Sequence, residues 1–391
     1  MKVAFDVTTC AKRRRGGIAT YGWELIEACA RVAPQNEYEL AVRPNRWLAR
    51  RHLRGLARAI AAPGLAATGG REARHGAARD VAASPRLLLD AFADLCLGPI
   101  DVLHSIGVRL PPRGRFAKVV TLHDLNVFEV PELSEAGWRD KRQARIRQTL
   151  ARADFVIVYS KAGAAALKQH LSFPAERTRI VPIGVDTARF RPLPEAERRA
   201  VLERHGLVGR PYVLHVGAYS ERKNQRGLLA AFARAALPKE WTLVLAGPVS
   251  DGAAALRAQA RELGLDDARV LLPGWVGEPE YPALLSGAAV YVCASLHEGF
   301  GIPVIEAQAC GTPVLSSNRG ALPETVGECG VLVDVTDEGD FAKALARLAG
   351  DAALRAKLTA GGPARVARSF SWERVAQATL TVYADATRRR T

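Results

Sequence analysis

Between Ala289 and Ser316 the chain reads as a strand, a tight turn, a helix and a second strand, in that order. Ala289-Val290-Tyr291-Val292-Cys293-Ala294 is a short apolar run, the pattern of a strand buried on both faces. Gly299 and Gly301 follow, then Pro303 at the place of a first helical residue, and the helix stops at Gly311 before a strand over 314–316. A unit of this kind buries its strands in a parallel sheet covered by helices.

The same alternation runs from end to end. Strands are expected over 3–7, 38–42, 102–104, 119–122 and 155–159, and again over 212–216, 242–246, 270–272, 290–293 and 330–333, with helical stretches between them. The fold class is therefore α/β, built on Rossmann-like parallel sheets. A chain of 391 residues holds two domains of ordinary size. Pro and Gly gather without helical periodicity in Val181-Pro182-Ile183-Gly184-Val185-Asp186 and Phe190-Arg191-Pro192-Leu193-Pro194, which places a linker near 183 to 195. The division falls between 1–187 and 188–370, and no fixed-period repeat relates the halves.

Hydrophobic residues at 48% and charged residues at 24% describe a chain that is globular throughout. It lacks an apolar run of about 18 residues, and Asp6 interrupts any signal-peptide core, so a cytoplasmic protein is expected. The six cysteines are scattered without metal-binding spacing and read as reduced core residues. A net charge of +15 calls for an acidic partner: a phospholipid surface, a sugar nucleotide, a lipid diphosphate or nucleic acid. Nucleic acid is set aside, because no zinc finger, aromatic RNA-binding motif or isolated helix-turn-helix accompanies the charge.

Ligands of open parallel sheets gather beyond the carboxyl ends of the strands, and Gly16-Gly17, His123, Gly217, Gly247, Gly274 and Glu298 all follow expected strands. The amides of Phe300, Gly301 and Ile302 at a helix N-terminus would attract a phosphate. Glu298 precedes the turn and Glu306 lies inside the helix, so they do not share a face and the spacing argues against a glycosidase carboxylate pair. Glu306 suits ribose hydroxyls, and Glu298 a second polyol beyond the phosphates.

The run His297-Glu298-Gly299-Phe300-Gly301-Ile302-Pro303-Val304-Ile305-Glu306-Ala307-Gln308-Ala309-Cys310-Gly311-Thr312-Pro313-Val314 resembles the signature of the retaining glycosyltransferases of family 4. Further resemblances occur in family order: Arg13-Arg14-Arg15-Gly16-Gly17, Val119-Val120-Thr121-Leu122-His123-Asp124, Pro182 to Asp186, Val213 to Asn224, and Leu272-Pro273-Gly274-Trp275-Val276-Gly277-Glu278. Only about 43 to 98 is unlike the family.

The resemblance implies GT-B architecture, two Rossmann-like domains facing across a cleft. The acceptor would lie on 1–187 and the nucleotide sugar on 188–370, with a final helix, 371–388, packing back on the first domain. It implies retaining transfer of a hexose to a glycan or lipid-linked glycan acceptor in bacterial cell-surface polysaccharide synthesis. Arg222 and Lys223 would hold the diphosphate, Gly16, Gly17 and Gly217 approach it, and His123 contact the donor sugar. Ala218 stands where many members carry another Arg, which shifts the burden to Arg222 and Lys223. Two fixed cations would oppose the charge on the leaving diphosphate, and the chain carries no Asp-x-Asp motif, so neither metal nor cofactor is expected. Backbone near Val276 would frame the base, and Glu278 could accept from guanine, which favours GDP-mannose over a UDP-sugar. Same-face attack, with Glu298 orienting the sugar, is expected rather than a covalent intermediate.

Residues 43–86 hold ten Arg against Glu72 and Asp80. Trp47, Leu48, Leu53, Leu56 and Ile60 fall at helical spacing, so one amphipathic helix is expected over 46–60. With the basic run Trp138 to Arg147 it could rest on the inner face of an anionic membrane, or its apolar stripe could pack on the sheet. Two rivals to a transferase stay open: an isomerase or hydrolase of the same fold, and a non-catalytic partner in an assembly complex.

Overall fold

The computed structural model describes residues 1–11, 16–61, 86–248 and 252–390, and structural statements concern these. The chain divides into two compact units, Met1–Gly184 with Trp372–Thr391, and Val185–Ser371.

The first unit opens with β1 (Lys2–Asp6), α1 (Gly17–Val32), β2 (Glu37–Val42) and α2 (Arg54–Ala61). It continues through β3 (Arg86–Leu87), α3 (Ala93–Leu97), β4 (Val102–Ser105) and β5 (Ala117–Thr121). Then follow α4 (Asn126–Glu129), α5 (Ala136–Leu150), β6 (Phe155–Val158), α6 (Lys161–Leu171) and β7 (Thr178–Ile180). The second unit runs α7 (Glu195–Arg204), β8 (Tyr212–Val216), α8 (Gln225–Arg234), β9 (Thr242–Ala246), α9 (Gly252–Glu262) and β10 (Val270–Gly274). Next come α10 (Tyr281–Gly287), β11 (Val290–Cys293), α11 (Ile302–Ala309), β12 (Val314–Ser317) and α12 (Leu322–Val326). It closes with β13 (Val331–Val333), α13 (Glu338–Gly350) and α14 (Ala352–Ser369), and α15 (Trp372–Arg388) belongs to the first unit.

Both sheets pair in parallel throughout, in the orders β3-β2-β1-β4-β5-β6-β7 and β10-β9-β8-β11-β12-β13. Each is therefore doubly wound, with its order reversing between β1 and β4 and between β8 and β11. A reversal opens a crevice at the carboxyl ends of those strands, because the loops that leave them run to opposite faces. Strands buried on both faces, such as β5 and β9, supply the apolar layers against which the helices pack.

The final helix is held to the first unit by shape and by one buried polar pair. A Cβ on Gly184 would come within 2.5 Å of the Trp372 indole, so only glycine lets that ring lie flat on the chain. Farther along, the Tyr383 hydroxyl shares a 2.6 Å hydrogen bond with His104 Nδ1, and His104 Nε2 meets Thr121 Oγ1 at 2.8 Å. Burial keeps His104 neutral, its pKa pushed down to about 3.

Two features differ from the sequence reading. The single helix expected over 46–60 is instead a 3-10 helix, Pro44–Leu53, followed by α2. Arg46, Arg50 and Arg54 are spaced four apart, so a continuous α-helix would stack three like charges on one face. Leu53, Leu56 and Ile60 are buried, which spends their part of the stripe on packing, while the side chains of Trp47 and Leu48 lie outside the described ones. The edge strands β3 and β7 were not anticipated, since two and three residues carry no readable alternation.

Candidate active site

In the second unit the residues of interest collect at the β8/β11 reversal. Beyond β8 the backbone keeps pairing past the sheet: Gly217 N–H donates to Ala246 at 2.9 Å and Gly247 N–H to Gly274 at 2.7 Å. The two glycine loops touch so closely that a Cβ on Gly247, whose φ is +137°, would lie 2.3 Å from the Gly217 carbonyl oxygen. After this contact the chain makes one 3-10 turn, Glu221–Lys223, and enters α8 through Asn224, whose side chain caps the helix by accepting from Gly227 N–H at 3.2 Å. Arg222 and Lys223 are thereby set on a short turn facing the end of β11.

Glu298, just beyond β11, receives both. Lys223 Nζ lies 2.5 Å from Oε1 and Arg222 Nη1 3.0 Å from Oε2. Ser295 Oγ donates to Oε1 at 2.7 Å, and Arg222 Nη1 also donates to the His297 carbonyl at 2.7 Å. Burial works against the Glu298 charge, but Lys223 and then Arg222 outweigh it and hold the carboxyl down at about 2. Its backbone is pinned too, the carbonyl accepting from Ala321 N–H at 3.0 Å. The outcome is a carboxylate ionised at neutral pH with oriented cations beside it, at the sheet's switch point.

The turn that follows ends on Gly301, which caps α11 with φ +93°. A side chain there would meet Leu322 Cδ2 at 2.7 Å, so both conformation and space demand glycine. Helix α11 starts at Ile302, one residue before Pro303, and no side chain caps it. Its first amides and helix dipole thus face the same crevice. Phe300 is buried, edge-on to Phe370 at 5.9 Å, which anchors the turn.

Glu306 is placed apart from Glu298, among residues that sequence reasoning missed. Tyr281 donates its hydroxyl to Oε2 at 2.8 Å. Burial raises the carboxyl to about 7, opposed by the Tyr281 hydrogen bond and by Arg189. Arg189 also donates to the Glu278 carbonyl at 3.0 Å, while the Glu278 carboxylate is 3.9 Å away and 49% exposed. Val276 is half-buried in the same loop, behind exposed Trp275. Arg189 and Tyr281 carry no local signal, since each matters only through a partner distant in sequence.

In the first unit Gly16 and Gly17 are exposed at the start of α1, with open space beside Gly16 and no side-chain cap. The preceding Arg13-Arg14-Arg15 lies outside the described residues. His123 follows β5 as read, yet its ring is buried and both nitrogens are spent: Nε2 donates to the Ile106 carbonyl at 2.6 Å, and Nδ1 accepts from Tyr159 at 2.5 Å. Burial lowers its pKa to about 4, so the ring is neutral. Both ring nitrogens are thus engaged within the first unit, and a hydrogen bond from either to a donor sugar would replace one of these two.

Among the described residues no three His, Cys, Asp or Glu side chains cluster to hold an ion, and no helix is long and apolar enough to cross a membrane.

Comparison with known proteins gives two family matches, "Glycosyltransferase Family 4" over residues 15–189 and "Glycosyl transferases group 1" over residues 210–351. The chain is 30% identical over 286 residues to O-antigen chain mannosyltransferase B of Escherichia coli, covering 72% of this chain and 74% of that one. It is 35% identical over 324 residues to D-inositol 3-phosphate glycosyltransferase of Salinispora arenicola, covering 76% and 72%. Among solved structures it resembles sucrose-phosphate synthase of Thermosynechococcus elongatus, with TM-score 0.73, 25% identity and 98% of both chains covered.

Proposed function

The chain belongs to the family 4, or group 1, glycosyltransferases of GT-B architecture, and from that premise we propose that it transfers a hexose, mannose first, from a nucleotide-diphosphate sugar to an acceptor hydroxyl with retention at the anomeric carbon. One observation carries this reading: Arg222, Lys223 and Glu298 converge at the β8/β11 switch point beside the N-terminus of α11. A diphosphate placed there meets two cations and a helix dipole, and a sugar beyond it meets a carboxylate kept ionised.

The cations do the work of leaving-group stabilisation. As the glycosidic bond breaks, negative charge grows on the β-phosphate, and donors already oriented toward it need no reorganisation. The two cations thereby take the part a divalent metal would otherwise play. Glu298 is a poor covalent nucleophile, because both its oxygens are engaged by Lys223, Arg222 and Ser295. Its role is to accept from donor-sugar hydroxyls, while the departing phosphate oxygen takes the acceptor proton during same-face attack. Glu306 takes the ribose, Gly217 and the amides of Phe300, Gly301 and Ile302 at the start of α11 approach the phosphates, and the Val276 to Glu278 loop frames the base.

GDP-mannose is the favoured donor, supported by the partly exposed Glu278 carboxylate and the mannosyltransferase relative. The relative named for D-inositol 3-phosphate favours a second reading in which the acceptor is a small phosphorylated polyol. The acceptor is a glycan or lipid-linked glycan. On a cytoplasmic enzyme, the basic helix α5 with its exposed Trp138 would hold such an acceptor at an anionic membrane surface.

Calorimetric titration with GDP, UDP and ADP, with and without magnesium, tests the reading. Binding of GDP that magnesium leaves unchanged supports it; a UDP preference overturns the base assignment, and failure of all three overturns the donor site.

A further inference from the structure

His215 lies on β8 beside Val292 of β11, and of the side chains assigned to the donor it neighbours that of Lys223. It is 1% exposed. Its Nδ1 is 3.0 Å from the Val292 carbonyl oxygen, which can only accept, so Nδ1 carries the proton and Nε2 the lone pair. That Nε2 is fully buried and has no hydrogen-bond partner among the described residues. A buried acceptor without a donor costs folding free energy, which a later hydrogen bond returns.

Its neighbour is Lys223. A Cβ built on Gly217 would be 3.4 Å from His215 Nε2 and 3.3 Å from both Cδ and Cε of Lys223, so the lone pair and the lysine stem border one small space that glycine leaves open. Burial, then the Lys223 charge, lowers the His215 pKa to about 4, which keeps the ring an acceptor at neutral pH.

We propose that His215 is a positioning residue for Lys223: when a diphosphate draws the ammonium away from Glu298, Nε2 accepts one of its hydrogen bonds and fixes it against the phosphate. The inference rests on the reading of Arg222 and Lys223 as diphosphate ligands. An ammonium has three donors on a flexible four-carbon stem, and ordering that stem on a single phosphate contact is entropically expensive. A second seat, rigid because Val292 on the neighbouring strand holds the ring, reduces that cost. With Ala218 following Gly217, the burden falls on two cations, and the placement of each matters more.

The two ring nitrogens can be separated by mutation. His215→Asn keeps a donor for the Val292 carbonyl and removes the acceptor at Nε2, whereas His215→Gln restores an acceptor there. Binding of UDP, GDP, UMP and GMP would be measured by calorimetry on both variants, on Lys223→Met and on the His215→Asn/Lys223→Met double. His215→Asn should weaken the preferred diphosphate about 10-fold, the worth of one hydrogen bond to a charged group, leave its monophosphate unchanged, and cost nothing further once Lys223 is gone; His215→Gln should recover most of the loss. Equal losses for diphosphate and monophosphate, full additivity with Lys223→Met, or wild-type affinity in His215→Asn would overturn the role while leaving the diphosphate site standing. Failure of the wild-type protein to bind either diphosphate would overturn both. Should His215→Asn not fold, the bare Nε2 nitrogen resonance of labelled wild-type protein decides the matter. It should move toward the hydrogen-bonded position on adding the diphosphate but not the monophosphate, and an unmoved resonance refutes the proposal.

Discussion

Lys223→Met strips the ammonium from Glu298 while keeping the stem that lies on Gly217. In the intact protein the two side chains are 18% and 12% exposed and 2.5 Å apart. A carboxyl held at about 2 instead of its ordinary 4.5 represents about 3 kcal/mol of net stabilisation at neutral pH, the pairing less the burial penalty. Lys223 is the larger of its two cationic partners, so its loss should remove about 2 kcal/mol, with Arg222 and Ser295 retaining the rest. For a unit of this size that lowers the melting temperature by roughly 4–8 °C, and only the transition of the unit that holds Glu298 should move. Because the folded pKa is depressed, the stabilisation is complete above about 4.5 and is lost as pH falls through about 2. The wild-type and variant curves should therefore converge in acid. Adding Glu298→Gln to Lys223→Met should restore part of the stability, since the stranded charge is then gone. Turnover of Lys223→Met should fall at least about 100-fold, or ~2.7 kcal/mol in barrier. Scanning calorimetry at several pH values and a donor-consumption assay read the two effects. An unshifted transition would refute the ion-pair reasoning, and near-normal turnover in a folded variant the diphosphate assignment.

Gly301→Ala places a Cβ against Leu322 at a φ of +93° and should cost about 2–3 kcal/mol in denaturant unfolding; a loss under 0.5 kcal/mol would show that the turn relaxes freely. Glu306 has its folded pKa raised to about 7 by burial, so the native state holds a proton the unfolded chain has released. Its contribution is present below about 4.5 and is lost as pH rises toward 7. Glu306→Gln should flatten that decline in stability-against-pH measurements, and an unchanged slope would rule out the buried carboxyl as its source.

Much of this was open to local reading because both-face-buried strands announce themselves as apolar runs. β8, β9 and β11 were placed within a residue, while β3 and β7 escaped because edge strands are short and half solvated. The site was legible as a set of strand-end residues but not as a geometry. Arg222 and Lys223 are legible as diphosphate ligands and Glu298 as a sugar ligand, yet in the folded chain both cations bind Glu298 across about 75 residues of sequence. His123 was found at its strand end, but the Ile106 carbonyl and the Tyr159 hydroxyl that occupy its ring come from the neighbouring strands' ends.

Alone, the order of residues determined the alternation of strands and helices, the glycine turns and the polar groups that end each strand, because backbone preference and the period of apolar residues act over a few positions. Only the tertiary structure decided which charges neutralise each other, which carboxyl is driven toward about 2 and which toward about 7, and that His215 keeps a lone pair beside Lys223. Those are properties of distance and desolvation, and neither exists until strands far apart in the chain lie side by side.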